Sequence, residues 1–354
     1  MKRKIGADQI NNNAIIEGNM IEHSLYTEYK KLCPDIRKIY VVPKVSFSFS
    51  RTNYFYFLYQ EFLENQSYYC PQIRSISVFR HYEFLLNRLK NEKTVLHYHW
   101  VEITDLKSLC GMFWRIFSVS VFKLLGGKII WTVHNRFPHY NRFKILNKFI
   151  RIYFAFLVDK IHVHCRSGIK IMAPILKVKQ EKFFVVKHPE YSAEIFPKSR
   201  AAELLRENFG RITESAGADN FLMFGAIAEY KGILEVAGIF QTLHNKNLIV
   251  AGPVKKWDKK YLQKLMAAAK DSRNIFLYPE FISDEMVPAF FNYADFLLFN
   301  FSDILTSGSV IVGLSYKKRI IAPAAGCLLD INDDNIIKFE PGNIEELKHI
   351  LVKM

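Results

Sequence analysis

The chain has 354 residues, half of them hydrophobic, and a formal net charge of +15. That length supplies two cores more readily than one, and the charge calls for an anionic partner: phosphorylated small molecules, an anionic membrane surface or nucleic acid. The five cysteines (Cys33, Cys70, Cys110, Cys165 and Cys327) are odd in number and lack paired ligand spacing. They read as free thiols of a reducing compartment, which excludes a zinc site and a disulfide framework. Polar residues follow Met1-Lys2-Arg3-Lys4 where a signal peptide needs an apolar core. No uncharged apolar run of about 18 residues marks a spanning helix, so a cytoplasmic protein is expected.

In chain order, residues 1 to 35 carry little periodicity. Ile39-Tyr40-Val41-Val42 reads as a first strand, followed by a stretch rich in Ser and Phe and a helix from Tyr54 to Leu63. A helix over 81–90, a strand Thr94–Trp100 and a long helix over 106–125 follow, the last stopped by Gly126-Gly127. Then come strand Lys128–Val133, helix Arg142–Leu157, and strands Lys160–His164 and Lys182–Val186. Strands alternating with helices predict a parallel sheet covered on both faces. We place a first domain at 1–190, a linker at 191–217, where strand character is missing, and a second α/β domain at 218–354.

The second domain opens with strand Asn220–Gly225 and an amphipathic helix from Ile233. Strand Asn247–Pro253, helix Lys259–Lys270, strand Asn274–Tyr278 and helix Asp284–Tyr293 lead to the apolar strand Ala294–Phe299. Arg319–Pro323, Ile336–Phe339 and a helix from Asn343 close the chain.

Ligands of parallel α/β sheets gather beyond the carboxyl ends of the strands. His97, His99, His134 and His188 all fall at such ends, with Asn135 beside His134. Histidine there binds a hydroxyl, contacts a diphosphate or moves a proton; one His alone is more often structural. No carboxylate or cysteine joins His97 and His99 at metal-ligand spacing, so no metal site is expected.

The turn after strand Ala294–Phe299 contains Asp303, Thr306, Ser307, Gly308 and Ser309 ahead of a helical apolar run. A helix start offers unpaired N–H groups and the positive end of a dipole, and glycine admits an anion close to the backbone. An ordinary Ser N-cap is the plain alternative. Lys231, before Gly232 on the loop after the opening strand, is placed to reach the same crevice as a diphosphate clamp. Over 139–151 basic residues (His139, Arg142, Lys144, Lys148 and Arg151) interleave with Phe143, Ile145, Phe149 and Ile150. This suits an anionic bilayer surface, or else a core helix with one solvated basic face. No nucleic-acid-binding signature accompanies the charge.

Phe224-Gly225, Tyr230-Lys231-Gly232, Val250-Ala251-Gly252 and Asp303-Ile304-Leu305-Thr306-Ser307-Gly308-Ser309, in that order, resemble the second domain of GT-B glycosyltransferases. The family-4-like enzymes of bacterial surface-polysaccharide assembly look most similar. Trp131-Thr132-Val133-His134-Asn135 and His97-Tyr98-His99-Trp100 are similar to segments of their first domain. The resemblance implies two Rossmann-like α/β domains with parallel sheets facing a central cleft. The donor, a nucleotide sugar, would be held by Gly225, Lys231, Gly232, Asp303 and Thr306–Ser309, and the acceptor, a glycan or a lipid-linked sugar, by the first domain. It further implies transfer with retention and no cofactor or metal, with Lys231, His99 and His134 catalytic and His97, Asn135 and His188 on the acceptor side. Separately, the net charge and the 139–151 stretch would make the enzyme peripheral on the inner face of the cell membrane. The pattern departs from the family at Ala226-Ile227-Ala228-Glu229, where an arginine is usual, and at Val312, where a glutamate usually holds the ribose. An epimerase or phosphorylase on the same scaffold and a degenerate binding subunit are the alternatives.

Overall fold

In the computed structural model, residues 24–65, 70–137, 143–210, 217–255, 258–270 and 272–354 are described. His139 and Arg142 of the basic–aromatic stretch lie outside them. The first sheet contains β1 (Lys38–Val42), β2 (Gln72–Ser75), β3 (Thr94–Tyr98), β4 (Lys128–Thr132), β5 (Lys160–Val163) and β6 (Phe183–Val185). Its helices are α1 (Leu25–Leu32), α2 (Tyr54–Glu64), α3 (Tyr82–Leu89), α4 (Leu106–Leu124), α5 (Lys144–Leu157) and α6 (Arg166–Leu176). The second sheet contains β7 (Asp219–Phe224), β8 (Lys246–Ala251), β9 (Ile275–Tyr278), β10 (Phe296–Leu298), β11 (Arg319–Pro323) and β12 (Ile336–Phe339). Around it stand α7 (Lys198–Phe209), α8 (Ile233–Phe240), α9 (Lys259–Lys270), α10 (Val287–Tyr293), α11 (Gly308–Ser315) and α12 (Ile344–Lys353).

Both sheets are six-stranded, in the orders β2-β1-β3-β4-β5-β6 and β12-β11-β10-β7-β8-β9, and each strand pairing is parallel. Central strands such as β3 and β8 are buried along their whole length, as sheets covered on two faces require. Each sheet therefore separates two apolar clusters, one built on Tyr40, Leu96, Trp131 and Phe154 and its opposite on Tyr29, Ile39, Tyr59 and Val95. The second sheet lies between clusters around Phe290 and Leu297 and around Phe221 and Phe240. Burying a side chain of this size contributes about 1.5–3 kcal/mol.

The sequence reading needs correction in three elements. β2 is an edge strand with alternating exposure, so it lacks the apolar run that reveals a buried strand. α6 contains Pro174, a residue that discourages a helical reading. The proposed linker is largely structure of the second domain: Tyr191 and, in α7, Ala201 and Leu205 are buried in its core cluster, and Lys198 of α7 pairs with Asp295.

In the second sheet the chain runs from β7 outward through β8 and β9, then returns to β10 on the other side of β7. The loops after β7 and β10 therefore leave their neighbouring strands in opposite directions, opening a crevice at the strand ends. The first domain reaches across to it. Ser50 Oγ and the Arg51 amide donate to Asp284 (2.9 and 2.8 Å), the Ser167 amide donates to Asp330 (2.8 Å), and Leu305 packs into the core of the first domain.

Candidate active site

Gly225 directly follows β7 with φ +102°, a conformation glycine adopts at least cost. A Cβ there would stand 2.9 Å from both Lys231 Nζ and Ser309 Oγ. The lysine and the start of α11 thus converge over one glycine. Two contacts lock the loops that carry them: the Ser302 amide donates to Tyr230 O (3.0 Å), and Asn300 Nδ2 donates to Gly232 O (3.2 Å). Gly232 has φ +59°, and a Cβ on it would lie 2.7 Å from Asn300 O, so the close approach of these loops requires glycine there as well. Ser307 is the N-cap of α11, its hydroxyl accepting from the Val310 amide (3.4 Å). Gly308 sits against the Tyr191 hydroxyl. The plain capping role and the anion-facing geometry coexist in one turn.

Lys231 is buried and donates to Phe224 O (3.3 Å). Loss of hydration, helped by nearby Lys255, lowers its pKa to about 8. Among the described residues no salt bridge to Lys231 is formed. A buried ammonium short of countercharge is held ready for an anion. It lines a cavity of about 130 Å³ with Tyr230, Phe301, Asp303, Ile304, the Thr306–Ser309 turn and Asn135 of the first domain. Asp303 faces Arg136 across the cleft at 3.9 Å; burial raises its pKa, and Arg136 and Arg151 oppose that rise. A larger cleft of about 870 Å³ adjoins, sharing Ile304, Thr306 and Ser307 and reaching His164, His188 and Leu328.

One expectation is overturned at the edge of this cleft. Cys165 and Cys327 are not free thiols but form a disulfide between the domains, with Thr306 Oγ1 3.3 Å from Cys327 Sγ. Cys165 caps α6, accepting from the Gly168 amide; Cys327 lies on the short turn after β11. The partners are 162 residues apart, so only the docking of the two domains reveals the pair. The cysteine argument for a reducing compartment goes with it. Cys33, Cys70 and Cys110 stay unpaired.

The histidines divide by depth. His97 is fully buried, its Nδ1 facing Tyr29 and Tyr59 and its Nε2 facing Thr132. That removes it from direct contact with an acceptor, contrary to its assignment on the acceptor side. His99 is also buried, bonded to Tyr59 (2.8 Å) and His134 (2.9 Å), so both its ring nitrogens are used. His134 is half-buried, stacked on Trp100 with ring centres 4.8 Å apart. His188 lines the large cleft and donates from Nδ1 to Pro189 O (2.9 Å). Burial, reinforced by neighbouring histidines, depresses the pKa of His97, His99 and His164 far below the ordinary value and that of His134 to about 3. The cluster is uncharged. Among the described residues no group of three or more His, Cys, Asp or Glu is disposed to hold a metal ion.

The sequence reading passed over Tyr54, His162 and His164. Tyr54 bonds His164 Nε2 (2.9 Å) and packs edge-on to His134. His162-Val163-His164 repeats the alternation of His97-Tyr98-His99 at the end of the next strand but one, and that repeat was the available signal. Arg151, grouped with the solvated basic residues, is in fact buried and donates to the carbonyls of Asn135 and Arg136 (2.8 and 3.0 Å). It fixes the loop after β4.

No protein-family profile and no curated protein matches this chain by sequence. Solved structures do. Alr3699/HepE of Anabaena, in complex with UDP, aligns at a TM-score of 0.63 and 10% identity over 90% of this chain and 89% of its own. A glycosyltransferase of Rickettsia africae gives 0.60 and 15% over 90% and 88%. The lipopolysaccharide outer core galactosyltransferase WaaB gives 0.59 and 12% over 89% of each chain. The chain has the GT-B fold of these glycosyltransferases.

Proposed function

We propose that this chain is a glycosyltransferase that moves a hexosyl group from a nucleoside diphosphate donor to a hydroxyl of a glycan or lipid-linked acceptor. The observation that carries this reading is the convergence of Lys231 and the α11 start over Gly225, inside a cavity to which the first domain adds Asn135. The Anabaena neighbour was solved with UDP-glucose, which makes a uracil nucleotide the first donor to try here. In this scheme Lys231 and the N–H groups of the 307–309 turn neutralise the departing diphosphate without a metal ion. His134, at the rim of the first domain, faces the sugar. Retention, and a role in surface-polysaccharide synthesis, come from the family resemblance.

We also assign the enzyme to an anionic membrane surface. On α5, Ile145, Phe149 and Phe156 are exposed beside Lys144 and Lys148, and on α4 Phe113 and Phe117 are exposed too. A Ser120–Tyr153 hydrogen bond (2.9 Å) ties the two helices together. Apolar side chains among lysines suit the headgroup boundary. Among the described residues no helix is long and apolar enough to cross a membrane.

Calorimetric titration with UDP, followed by a donor-hydrolysis screen of nucleotide sugars, tests the reading. Binding that disappears in Lys231→Ala supports it; absence of binding by any nucleoside diphosphate refutes it. A binding subunit without chemistry is the second reading, favoured by the Ala226–Glu229 loop, which lacks the family's arginine, and by Val312, where the family places a glutamate. Nucleotide binding without hydrolysis or transfer selects it.

A further inference from the structure

Behind His134 a continuous file of hydrogen bonds runs through the ends of four strands. His162 Nε2 lies 3.0 Å from Val186 O, and Thr132 Oγ1 lies 2.8 Å from His162 Nδ1 and 2.7 Å from His97 Nε2. Tyr29 and Tyr59 meet at His97 Nδ1. Tyr59 then contacts His99 Nε2, and His99 Nδ1 contacts His134 Nε2 (2.8 and 2.9 Å).

The protons in this file are ordered by one end. A backbone carbonyl can only accept, so His162 donates from Nε2 and, being neutral, accepts at Nδ1. Burial keeps His162 neutral, its pKa lowered to about 4. The Thr132 hydroxyl therefore donates to His162 and accepts from His97 Nε2–H. His97, neutral for the same reason, presents a bare Nδ1 to the two tyrosines. Both hydroxyls contact that one nitrogen. Sending the Tyr59 proton to His99 would set the Tyr59 oxygen against the bare Nδ1 at 2.8 Å with no proton between them, whereas keeping it on the His97 side leaves no contact without a proton. His99 thus donates from Nε2 and accepts at Nδ1, and His134 donates from Nε2.

We infer that Thr132, His97, Tyr59 and His99 form a relay, anchored on the Val186 carbonyl, that holds His134 in its Nε2–H tautomer with the Nδ1 lone pair open. Nδ1 has no partner among the described residues. An open lone pair accepts from a hydroxyl and repels phosphate and carbonyl oxygens. The relay therefore assigns His134 to a hydroxyl of the sugar or the acceptor and leaves the diphosphate to Lys231. This last step rests on the glycosyltransferase reading; the tautomer does not. Thr132, His97, Tyr59 and His99 are positioning residues, since none reaches substrate.

The full-length chain carrying isotope-labelled histidine tests the relay by long-range proton–nitrogen correlation, with His134 assigned from the signals lost in His134→Gln. Native His134 is expected to be protonated on Nε2. Thr132→Val faces His97 Nε2 with a methyl group, which turns the file round and protonates His134 on Nδ1; Thr132→Ser keeps the native tautomer. Nδ1 protonation in the native protein, or a native tautomer in Thr132→Val, overturns the relay. In a transfer assay, Thr132→Val should lower turnover by about tenfold or more with UDP affinity unchanged, and Thr132→Ser should recover it. A reversed tautomer with undiminished turnover overturns the role given to Nδ1. If UDP does not bind at all, the donor-site reading fails, and the spectra still decide the relay.

Discussion

The two rims of the cleft solve opposite electrostatic problems with the same architecture. Both consist of loops at the carboxyl ends of parallel strands. On the second domain the rim is short of negative charge: a buried lysine, a helix start and Gly225, where a side chain would fill the space between them. On the first domain the rim is polar yet uncharged, six histidines held neutral among tyrosines. The difference teaches how a sheet edge is specialised. A charge left without its partner waits for an ionic ligand, whereas a satisfied neutral network orients hydrogen-bonding groups and tolerates none.

Acid should break this comparison most strongly. The buried histidines have folded-state pKa values below the ordinary 6.5, with His134 near 3 and His162 and His188 near 4. The unfolded chain therefore binds more protons, so the stability they contribute is complete above about pH 6.5 and is lost as pH falls towards the folded values. Between about pH 6.5 and 5.5 each costs about 1 kcal/mol, several in sum. Hydrogen exchange should show the first sheet opening before the second; simultaneous opening of both counts against the neutral cluster.

Lys231→Ala should come next, lowering turnover about 10²- to 10³-fold, or about 3–4 kcal/mol, with little change in the melting temperature. The native chain should also bind UDP more weakly as pH rises through about 8, where the Lys231 ammonium loses its proton. Affinity that is flat up to pH 9 would detach the lysine from the anion.

Cys327→Ser, or a thiol reductant on the native chain, removes the covalent tie between the domains. A loss of about 2–4 kcal/mol is expected, and differential scanning calorimetry should resolve two melting transitions in place of one. A thermogram indifferent to reductant would mean that the pair is not joined in solution. The smallest effect belongs to the surface: Lys148→Glu with Phe149→Ser should reduce pelleting with anionic liposomes severalfold. Equal pelleting with neutral liposomes would remove the electrostatic part of that argument.

Much of this was legible along the chain, unevenly. Apolar runs such as Lys128–Val133 and Asn247–Ala251 declared buried parallel strands because no other element shelters so many consecutive apolar residues. The Thr306–Ser309 turn and Lys231 were singled out because small hydroxyls, glycine and a loop lysine have a direct reason to sit at a phosphate, and the fold brings Ser309 and Lys231 together over Gly225. The histidines were located but not ranked: His97 and His134 look alike in sequence, and only the packing of Tyr29 and Tyr59 sinks one beneath the other. Arg151 was misread because its spacing on a helix does not say which face is covered.

The sequence by itself settled two parallel α/β domains, the order of most of their strands and helices along the chain, and part of the groups gathered at each rim. These follow from local periodicity and backbone chemistry, which act over a few residues. The tertiary structure alone decided that Lys231 and Ser309 share one space, that Cys165 meets Cys327, and that only one histidine of the pair His99–His134 keeps a free nitrogen. Those outcomes depend on contacts between residues far apart in the chain, set by how whole elements pack and which surfaces lose their water.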